Sequence, residues 1–218
     1  MSLRFELLVF DWDGTVMDST AHIAQSIQAA CGDLGLPVPS DERARHIIGL
    51  GLHDAMRYLL PDLPAADYSR MVERYRFHFL AGNQRVTLFD GVREGLARLQ
   101  ARGFLLAVAT GKSRQGLERS LADSGLTGQF HATRCADEGF PKPHPEMLQV
   151  LMDTFGVRPE RTLMIGDTTH DLEMARNAGV SALAAAYGAH DSDKLRNQRP
   201  LALAYSFGEV MAWLDRNG

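Results

Sequence analysis

Two aspartates, Asp11 and Asp13, directly follow the apolar run Leu7–Phe10 near the start of the sequence. Carboxylates crowded at the end of a buried strand repel each other and raise each other's pKa unless a cation lies between them. The Asp-Gly pair at positions 13 and 14 is also a common turn dipeptide, so the motif "DWDGT" alone does not distinguish chemistry from an ordinary turn. Its meaning depends on which other polar residues reach the same place.

Polar residues of matching chemistry follow later segments of the chain. They are Thr110 and Gly111 after the apolar run 104–109, Lys142 in "PKPHPE", and Asp167 and Asp171 in "GDTTHD" after the apolar run 162–165. In an open parallel sheet, ligands bind outside the carboxyl ends of the strands. If the apolar runs are strands of such a sheet, four carboxylates, one hydroxyl and one ammonium group meet at one edge.

A group of carboxylates at one sheet edge predicts a bound divalent cation. Oxygen ligands favour a hard ion, and Mg2+ is the usual one where phosphate is also bound. Asp171 follows Asp167 by four residues, so from the first turn of a helix its side chain would face the same way. The predicted cofactor is therefore Mg2+.

The same residues could transfer a phosphoryl group. An aspartate can attack phosphorus to form an aspartyl-phosphate, and a metal beside it screens its charge from the incoming phosphate. Thr110 can hydrogen-bond one phosphoryl oxygen, and Lys142 can neutralise another. Asp13 is then available as general acid for the leaving group and as base for water.

Two other motifs fail on their spacing. A calcium loop starting at Asp11 needs Gly at its sixth position, where the chain has Val16. A phosphate-binding loop ending in "GKS" at 111–113 needs its first Gly at position 106, which is Leu106. Neither site is predicted.

The elements that must position these residues follow from the apolar pattern. Continuous apolar runs predict strands buried on both faces at Leu7–Phe10, 104–109, 130–133, 162–165 and 180–184. Helical spacing lies between the later runs, and glycines at 103, 156 and 179 fit helix ends. This alternation predicts an α/β fold, a Rossmann-like parallel sheet with helices on both faces.

The segment from about residue 18 to residue 85 shows helical periodicity and no good strand. An all-helical cap inserted at 17–86 is predicted, with residues 1–16 and 87–218 forming the catalytic core. The alternative is an extra helical layer of the same core.

Composition excludes several kinds of partner. The net charge of −4 and the lack of a basic tract argue against nucleic acid and anionic membranes. No apolar run approaches the roughly 20 residues of a membrane span. Cys31 and Cys135 lack any metal-site spacing, which predicts reduced thiols and a cytoplasmic location. A monomer or weak homodimer is expected.

"DWDGT", the strand end "VAT" at Thr110, Lys142 in "PKPHPE" and "GDTTHD" together resemble the four ordered motifs of the haloacid dehalogenase superfamily. The resemblance runs from Leu7 to about Ala185. The helical insert is similar to the cap of the phosphoglycolate-phosphatase and beta-phosphoglucomutase branch. The resemblance implies a mobile cap, Asp11 as nucleophile and Asp13 as acid/base.

The resemblance also implies how Mg2+ is held, namely by the Asp11 carboxylate, the Asp13 backbone carbonyl and Asp167, with Asp171 close behind. Gly14 and Gly111 are expected to contact the substrate. Trp12 and Gly111 depart from the family pattern. Gly111 stands where close relatives often have Asn, and its own N–H could supply the phosphate contact.

The cap contributes candidates around "IIGLGL" at 47–52. Arg45, Arg57, His46 and His53 could reach an anionic substrate group, and the resemblance makes the loop at Gly49 a specificity loop. The alternative is that these side chains belong to solvated helix faces. If Arg45 binds the substrate, its truncation raises KM.

The resulting expectation is a Mg2+-dependent phosphatase that hydrolyses a small, phosphoglycolate-like phosphomonoester. A beta-phosphoglucomutase-type enzyme would use the same core residues. A dehalogenase would need neither Asp13 nor a metal. A phosphoaccepting or purely binding module would gather similar residues, but the spacing of Asp11 and Asp13 and the helical insert argue against it.

Overall fold

The computed structural model describes residues 4–81 and 86–218. Within these residues, a parallel sheet of six strands has the order β5-β4-β1-β6-β7-β8. Its strands are β1 Leu7–Phe10, β4 Leu105–Thr110, β5 Ala132–Cys135, β6 Thr162–Gly166, β7 Ser181–Ala185 and β8 Leu203–Ala204. The predicted fold class is confirmed.

The strands differ from prediction mainly at the margins. The third predicted strand begins at Ala132 rather than at residue 130, and the two-residue strand β8 was not predicted. A separate antiparallel pair joins β2 Met17–Asp18 to β3 Thr87–Leu88. Two-residue strands carry no periodicity, so a pattern of apolar residues cannot reveal them.

Helices fill the intervals between strands. They are α1 Thr20–Asp33, α2 Asp41–His46, α3 Leu52–Leu59, α4 Tyr68–Ala81, α5 Val92–Ala101, α6 Arg114–Asp123, α7 Glu146–Phe155, α8 Thr169–Asn177, α9 Ser192–Asn197 and α10 Phe207–Asn217. Short 3-10 turns occupy Ala65–Asp67 and Pro159–Arg161. The helix α7 begins after Pro145 and, as predicted, is closed by Gly156, which has a left-handed φ of 65°. Among the described residues, no helix combines the length and apolarity needed to cross a bilayer.

The sheet is covered by apolar side chains on both faces. Phe10 and Leu106 point to one face with α5 and α10, while Val9 and Ala107 point to the other with α7 and α8. Successive side chains of a strand alternate between faces, so burial on both sides gives the continuous apolar runs of the sequence.

The helices α1 to α4 form their own apolar cluster, which includes Ile27, Met56 and Met71. The pairing of Met17 with Leu88 brings the two ends of this helical segment together. Both features support the predicted cap at 17–86. Its domain boundaries stay a prediction. Residues 82–85 of that range, and residues 1–3 of the core, lie outside the described part of the chain.

Candidate active site

Three adjacent strands place the predicted core residues at one sheet edge. β1 lies between β4 and β6, with Phe10 opposite both Val108 and Ile165. Asp11 therefore follows the central strand, and its N–H donates to the carbonyl of Ile165 at 2.9 Å. Thr110 is the last residue of β4, and Asp167 follows β6 directly. The register of the strands alone brings these three positions together.

Lys142 reaches this edge from the loop before α7. Its Nζ lies 2.7 Å from Asp11 Oδ1 and 2.6 Å from Asp171 Oδ1, and its side chain is completely buried. Burial opposes the charge of an ammonium group, but the two carboxylates raise the pKa of Lys142 above its usual value. Lys142 is thus a cation that links the first and fourth motifs.

Asp167 and Asp171 are oriented by hydrogen bonds from their own neighbourhood. Asp167 accepts from Thr15 Oγ1 at 2.9 Å and from the N–H of Ala189 at 2.7 Å. Asp171 Oδ2 accepts from Thr168, from Oγ1 at 2.7 Å and from N–H at 3.0 Å, which makes a capping box at the start of α8. The motif "GDTTHD" therefore both caps α8 and brings two carboxylates to the site.

The carboxylates fit a divalent cation. One oxygen from each of Asp11, Asp167 and Asp171 lies within 4.8 Å of the others. Asp11 Oδ2 is buried and, among the described residues, has no hydrogen-bond partner. Burial raises the pKa of Asp11 to about 7, against the influence of Lys142, and burial together with Asp11 and Asp171 raises that of Asp167 well above its usual value. A hard cation would supply the missing partner and offset the repulsion.

Asp13 points towards the cleft rather than into this acidic cluster. Ser19 Oγ donates to Asp13 Oδ1 at 2.6 Å, and Lys112 Nζ lies 3.0 Å from the same oxygen. Asp13 keeps 8% of its surface exposed, whereas Asp11 keeps 1%. The two acids of "DWDGT" thus have different surroundings, one at the metal-type cluster and one facing the cavity.

Gly14 allows this arrangement because a side chain has no room there. Its φ is +84°, and a Cβ would lie 2.0 Å from Asp167 Oδ2. The structure therefore places Gly14 against the acidic cluster, and its predicted contact with the substrate stays a prediction.

Gly111 lies under the loop between α2 and α3. A Cβ at Gly111 would lie 2.5 Å from the carbonyl oxygen of Leu50 and 2.6 Å from that of Gly49. Gly49 itself packs on Thr168, whose Oγ1 would be 3.1 Å from its Cβ position. The loop at residues 47–51, predicted to belong to the cap, is thus packed directly on two strand ends of the core.

A second contact beside this loop involves three histidines. The ring Nε2 of His170 lies 2.9 Å, and that of His190 3.0 Å, from the carbonyl oxygen of His46. The N–H of Thr169 donates to His190 Nδ1 at 3.0 Å, so Nε2 of His190 carries the proton and donates to His46. The sequence motifs single out neither His170 nor His190, and in the structure both rings hold the end of α2 on the core.

A cavity of about 1170 Å³ opens between the helices α1–α4 and the core. Asp13 lies in its wall, together with Gly49, Gly111, Lys112 and Tyr75. A cleft that is lined by a carboxylate and by both polar and apolar groups is the usual form of a small-molecule site.

Arg45 does not line this cavity. Its guanidinium pairs with Asp41 at 2.7 Å and donates to Thr20 Oγ1 at 3.0 Å. These contacts fit the alternative interpretation, a residue of a helix face. The predicted contact of Arg45 with the substrate has no geometric support in this arrangement and stays a prediction. His53, in contrast, does line the cavity.

Several residues near the site escaped the sequence analysis. Thr15 and Ser19 were invisible because a hydroxyl has no characteristic spacing, although Thr15 stands inside "DWDGT". Tyr75 belongs to an apolar helical stripe with Met71 and Val72, which is more often core than binding site. Lys112 follows Thr110 by two residues, and this closeness to a predicted site residue could have indicated that Lys112 also lies at the site.

Known proteins match this chain over nearly its whole length. A family model for haloacid dehalogenase-like hydrolases matches residues 8–185. The chain is 36% identical over 212 residues to "Probable phosphatase IndB" of Dickeya dadantii, covering 94% of this chain and 91% of that protein. It is 29% identical over 219 residues to a phosphoglycolate phosphatase of Aliivibrio fischeri, with 96% of each chain covered.

Solved structures agree with this assignment. The crystal structure of a predicted phosphoglycolate phosphatase from Haemophilus somnus has a TM-score of 0.85 to this chain at 25% identity, over 98% of this chain and 99% of the other. The chain therefore belongs to the haloacid dehalogenase-like hydrolase family and, as its motifs predicted, groups with the phosphatases of that family.

Proposed function

We propose that the protein is a Mg2+-dependent phosphatase that hydrolyses a small phosphomonoester through an aspartyl-phosphate on Asp11. The observation that supports this most directly is the environment of Asp11. One of its carboxylate oxygens is held by Lys142, while the other is buried beside two more carboxylates and has no hydrogen-bond partner in the described part of the chain. A buried carboxylate oriented in this way is prepared for a metal and an electrophile.

Asp11, Asp167 and the backbone carbonyl of Asp13 would hold Mg2+, with Asp171 behind them. The ion would supply positive charge that screens the carboxylates from the phosphate dianion and polarises a phosphoryl oxygen. Lys142 stays charged between Asp11 and Asp171, and it neutralises a further phosphoryl oxygen in the proposed complex. Thr110 hydrogen-bonds the phosphoryl group from the end of β4.

In the first step, a carboxylate oxygen of Asp11 forms a bond to phosphorus while the bond to the leaving oxygen breaks. Asp13, protonated, gives its proton to that oxygen, which leaves as an alcohol. In the second step, Asp13 takes a proton from water. The water oxygen bonds to phosphorus, and the bond from phosphorus to Asp11 breaks, which returns both carboxylates to their starting state.

Phosphoglycolate is the first substrate to test, because relatives that match nearly the whole chain are named phosphoglycolate phosphatases. The free, buried thiols of Cys31 and Cys135 agree with the proposed cytoplasmic location.

A phosphate-release assay over phosphoglycolate, sugar phosphates, nucleotides and p-nitrophenyl phosphate tests the proposal, with Mg2+ or with EDTA. Mg2+-dependent release from at least one ester, lost in Asp11→Asn, is expected. Conversion of beta-glucose 1-phosphate to the 6-phosphate without release would instead show a mutase. Activity that persists in EDTA would contradict the metal dependence, and no turnover of any ester would favour a binding module.

A further inference from the structure

Tyr75 lies in the wall of the cavity, and its hydroxyl differs from those of two other tyrosines in the described part of the chain. Elsewhere, Tyr68 donates to the carbonyl of Leu60 at 2.7 Å and Tyr187 donates to that of Thr15 at 2.9 Å. Tyr75 is partly buried, lines the cavity and makes no hydrogen bond within residues 4–81 and 86–218. Burial, with Asp13 nearby, raises the pKa of Tyr75, so its phenol keeps its proton and remains a donor.

Lys112 places a cation near Tyr75 in the cavity wall, because the Phe79 ring, whose centre lies 5.7 Å from that of Tyr75, is next to both. Its Nζ lies 3.0 Å from Asp13 Oδ1 and 5.0 Å from the centre of the Phe79 ring, and 13% of its side chain is exposed. An ammonium group has three donor hydrogens, and Asp13 is its one ion-pair partner among the described residues. The arginines that line the cavity are all exposed, namely Arg76, Arg93 and Arg119. Among the described lysines and arginines that line the cavity, Lys112 is therefore the one that is largely shielded from solvent.

Asp13 fixes where a ligand group would meet Tyr75 and Lys112. In the proposed mechanism, on which this inference rests, Asp13 contacts the oxygen of the leaving alcohol. Lys112, which contacts Asp13, and Tyr75, which lines the same cavity, then face the atoms next to that oxygen. In a phosphate ester of a 2-hydroxy acid, the carbon bonded to the leaving oxygen also carries the carboxylate. An ammonium group and a phenol at this position would both bind that carboxylate.

We propose that Tyr75 and Lys112 bind the carboxylate of the leaving group, and that the substrates are phosphate esters of 2-hydroxy acids. The pair consists of one cap residue, on α4, and one core residue, two positions after Thr110. A substrate carboxylate therefore connects the two parts of the protein across Asp13. The cavity of about 1170 Å³ accommodates acids longer than a two-carbon one, so the pair sets the chemical class and not the length.

Two esters of nearly equal size test this assignment. 2-Phosphoglycolate carries the carboxylate, and ethyl phosphate carries a methyl group in its place. In the wild type, kcat/KM should be higher for 2-phosphoglycolate. Tyr75→Phe and Lys112→Met should each lower the ratio of the two kcat/KM values by at least about tenfold, since hydrogen bonds to charged groups are lost. Circular dichroism spectra and thermal melts of each variant, compared with the wild type, show whether it is folded.

Tyr68→Phe on the same helix and Lys194→Met on the surface are the matched controls, and both should keep the wild-type ratio. Equal kcat/KM values for the two esters in the wild type, or an unchanged ratio in both variants, would overturn the assignment while leaving the phosphatase intact. Failure of the wild type to release phosphate from any ester would instead contradict the proposed function.

Discussion

The carboxylate of Asp11 is subject to opposing electrostatic influences. Burial raises its pKa from the ordinary 3.8 to about 7, while Lys142 at 2.7 Å acts in the other direction. Between these two pH values the folded protein binds the proton of Asp11 more tightly than the unfolded chain does. Stability from this group is therefore present at low pH and is lost as the pH rises through about 7. The site contains an acid that costs stability in its reactive, ionised form.

Asp11→Asn should remove this cost. In EDTA, the variant should have a higher Tm than the wild type at pH 8, and the difference should shrink towards pH 4, because Asn has no charge to desolvate. Thermal melts of both proteins across this range provide the measurement. Repeating them in excess Mg2+ is the control, since a bound cation favours the ionised form of Asp11 and should reduce the pH dependence. A Tm difference that is independent of pH would refute this account of Asp11.

Single residues of the site were predictable where chemistry and spacing coincide. Asp11, Lys142, Asp167 and Asp171 meet as the sequence predicted, because each belongs to a motif directly after a strand or before a helix. Tyr75 could not be predicted in the same way, because a tyrosine in an apolar helical stripe can face the core or a cavity. Only the packing of α4 decides between these directions.

At the scale of elements, the loop between α2 and α3 meets the ends of β4 and β6. The carbonyl oxygens of Gly49 and Leu50 occupy the space in which a side chain at position 111 would start. This contact gives a physical reason for Gly111, which the sequence showed only as a departure from the family pattern. The positions of strand ends can be predicted from apolar runs. The position in which a loop packs depends on tertiary contacts, which leave no periodic pattern in the sequence.

Gly111→Ala should therefore prevent the loop between α2 and α3 from packing on the end of β4. The backbone at Gly111 does not need a left-handed φ, so the substitution acts by steric contact and not by backbone strain. We expect kcat/KM for phosphate esters to fall by about tenfold or more, with a smaller change in Tm. Gly32→Ala in α1, where a Cβ has nothing within 4 Å, is the control and should keep full activity. Wild-type kinetics in Gly111→Ala would show that the loop is not needed in this position.

At the scale of the whole molecule, the apolar core is divided between the sheet and the helices α1–α4. The acidic cluster lies on the sheet side, and the cavity lies between the two groups of elements. The run of helical periodicity between residues 18 and 85 predicted a separate helical cap there, and its boundaries stay a prediction. The sequence could not predict β2, β3 and β8, which are two residues long and owe their existence to neighbouring strands.

Mg2+ should stabilise the whole fold, because a ligand that binds only the folded state shifts the unfolding equilibrium. At a concentration one hundred times Kd, the gain is about 2.7 kcal/mol, which corresponds to a Tm rise of several degrees for a chain of this size. Asp167→Asn should reduce this rise strongly. Thermal melts with added MgCl2, compared with NaCl at equal ionic strength, measure it. Equal rises for the two salts would argue against a specific divalent site.

The central claim is that Asp11 becomes covalently phosphorylated during turnover, and trapping that species tests it most directly. Asp13→Asn should accumulate it with p-nitrophenyl phosphate, because this leaving group needs little help from an acid whereas water still needs a base. After rapid acid quenching and digestion, mass spectrometry should find one added phosphoryl group on the peptide that contains Asp11. Its absence from a variant that still releases p-nitrophenol, or its presence on another residue, would contradict the account.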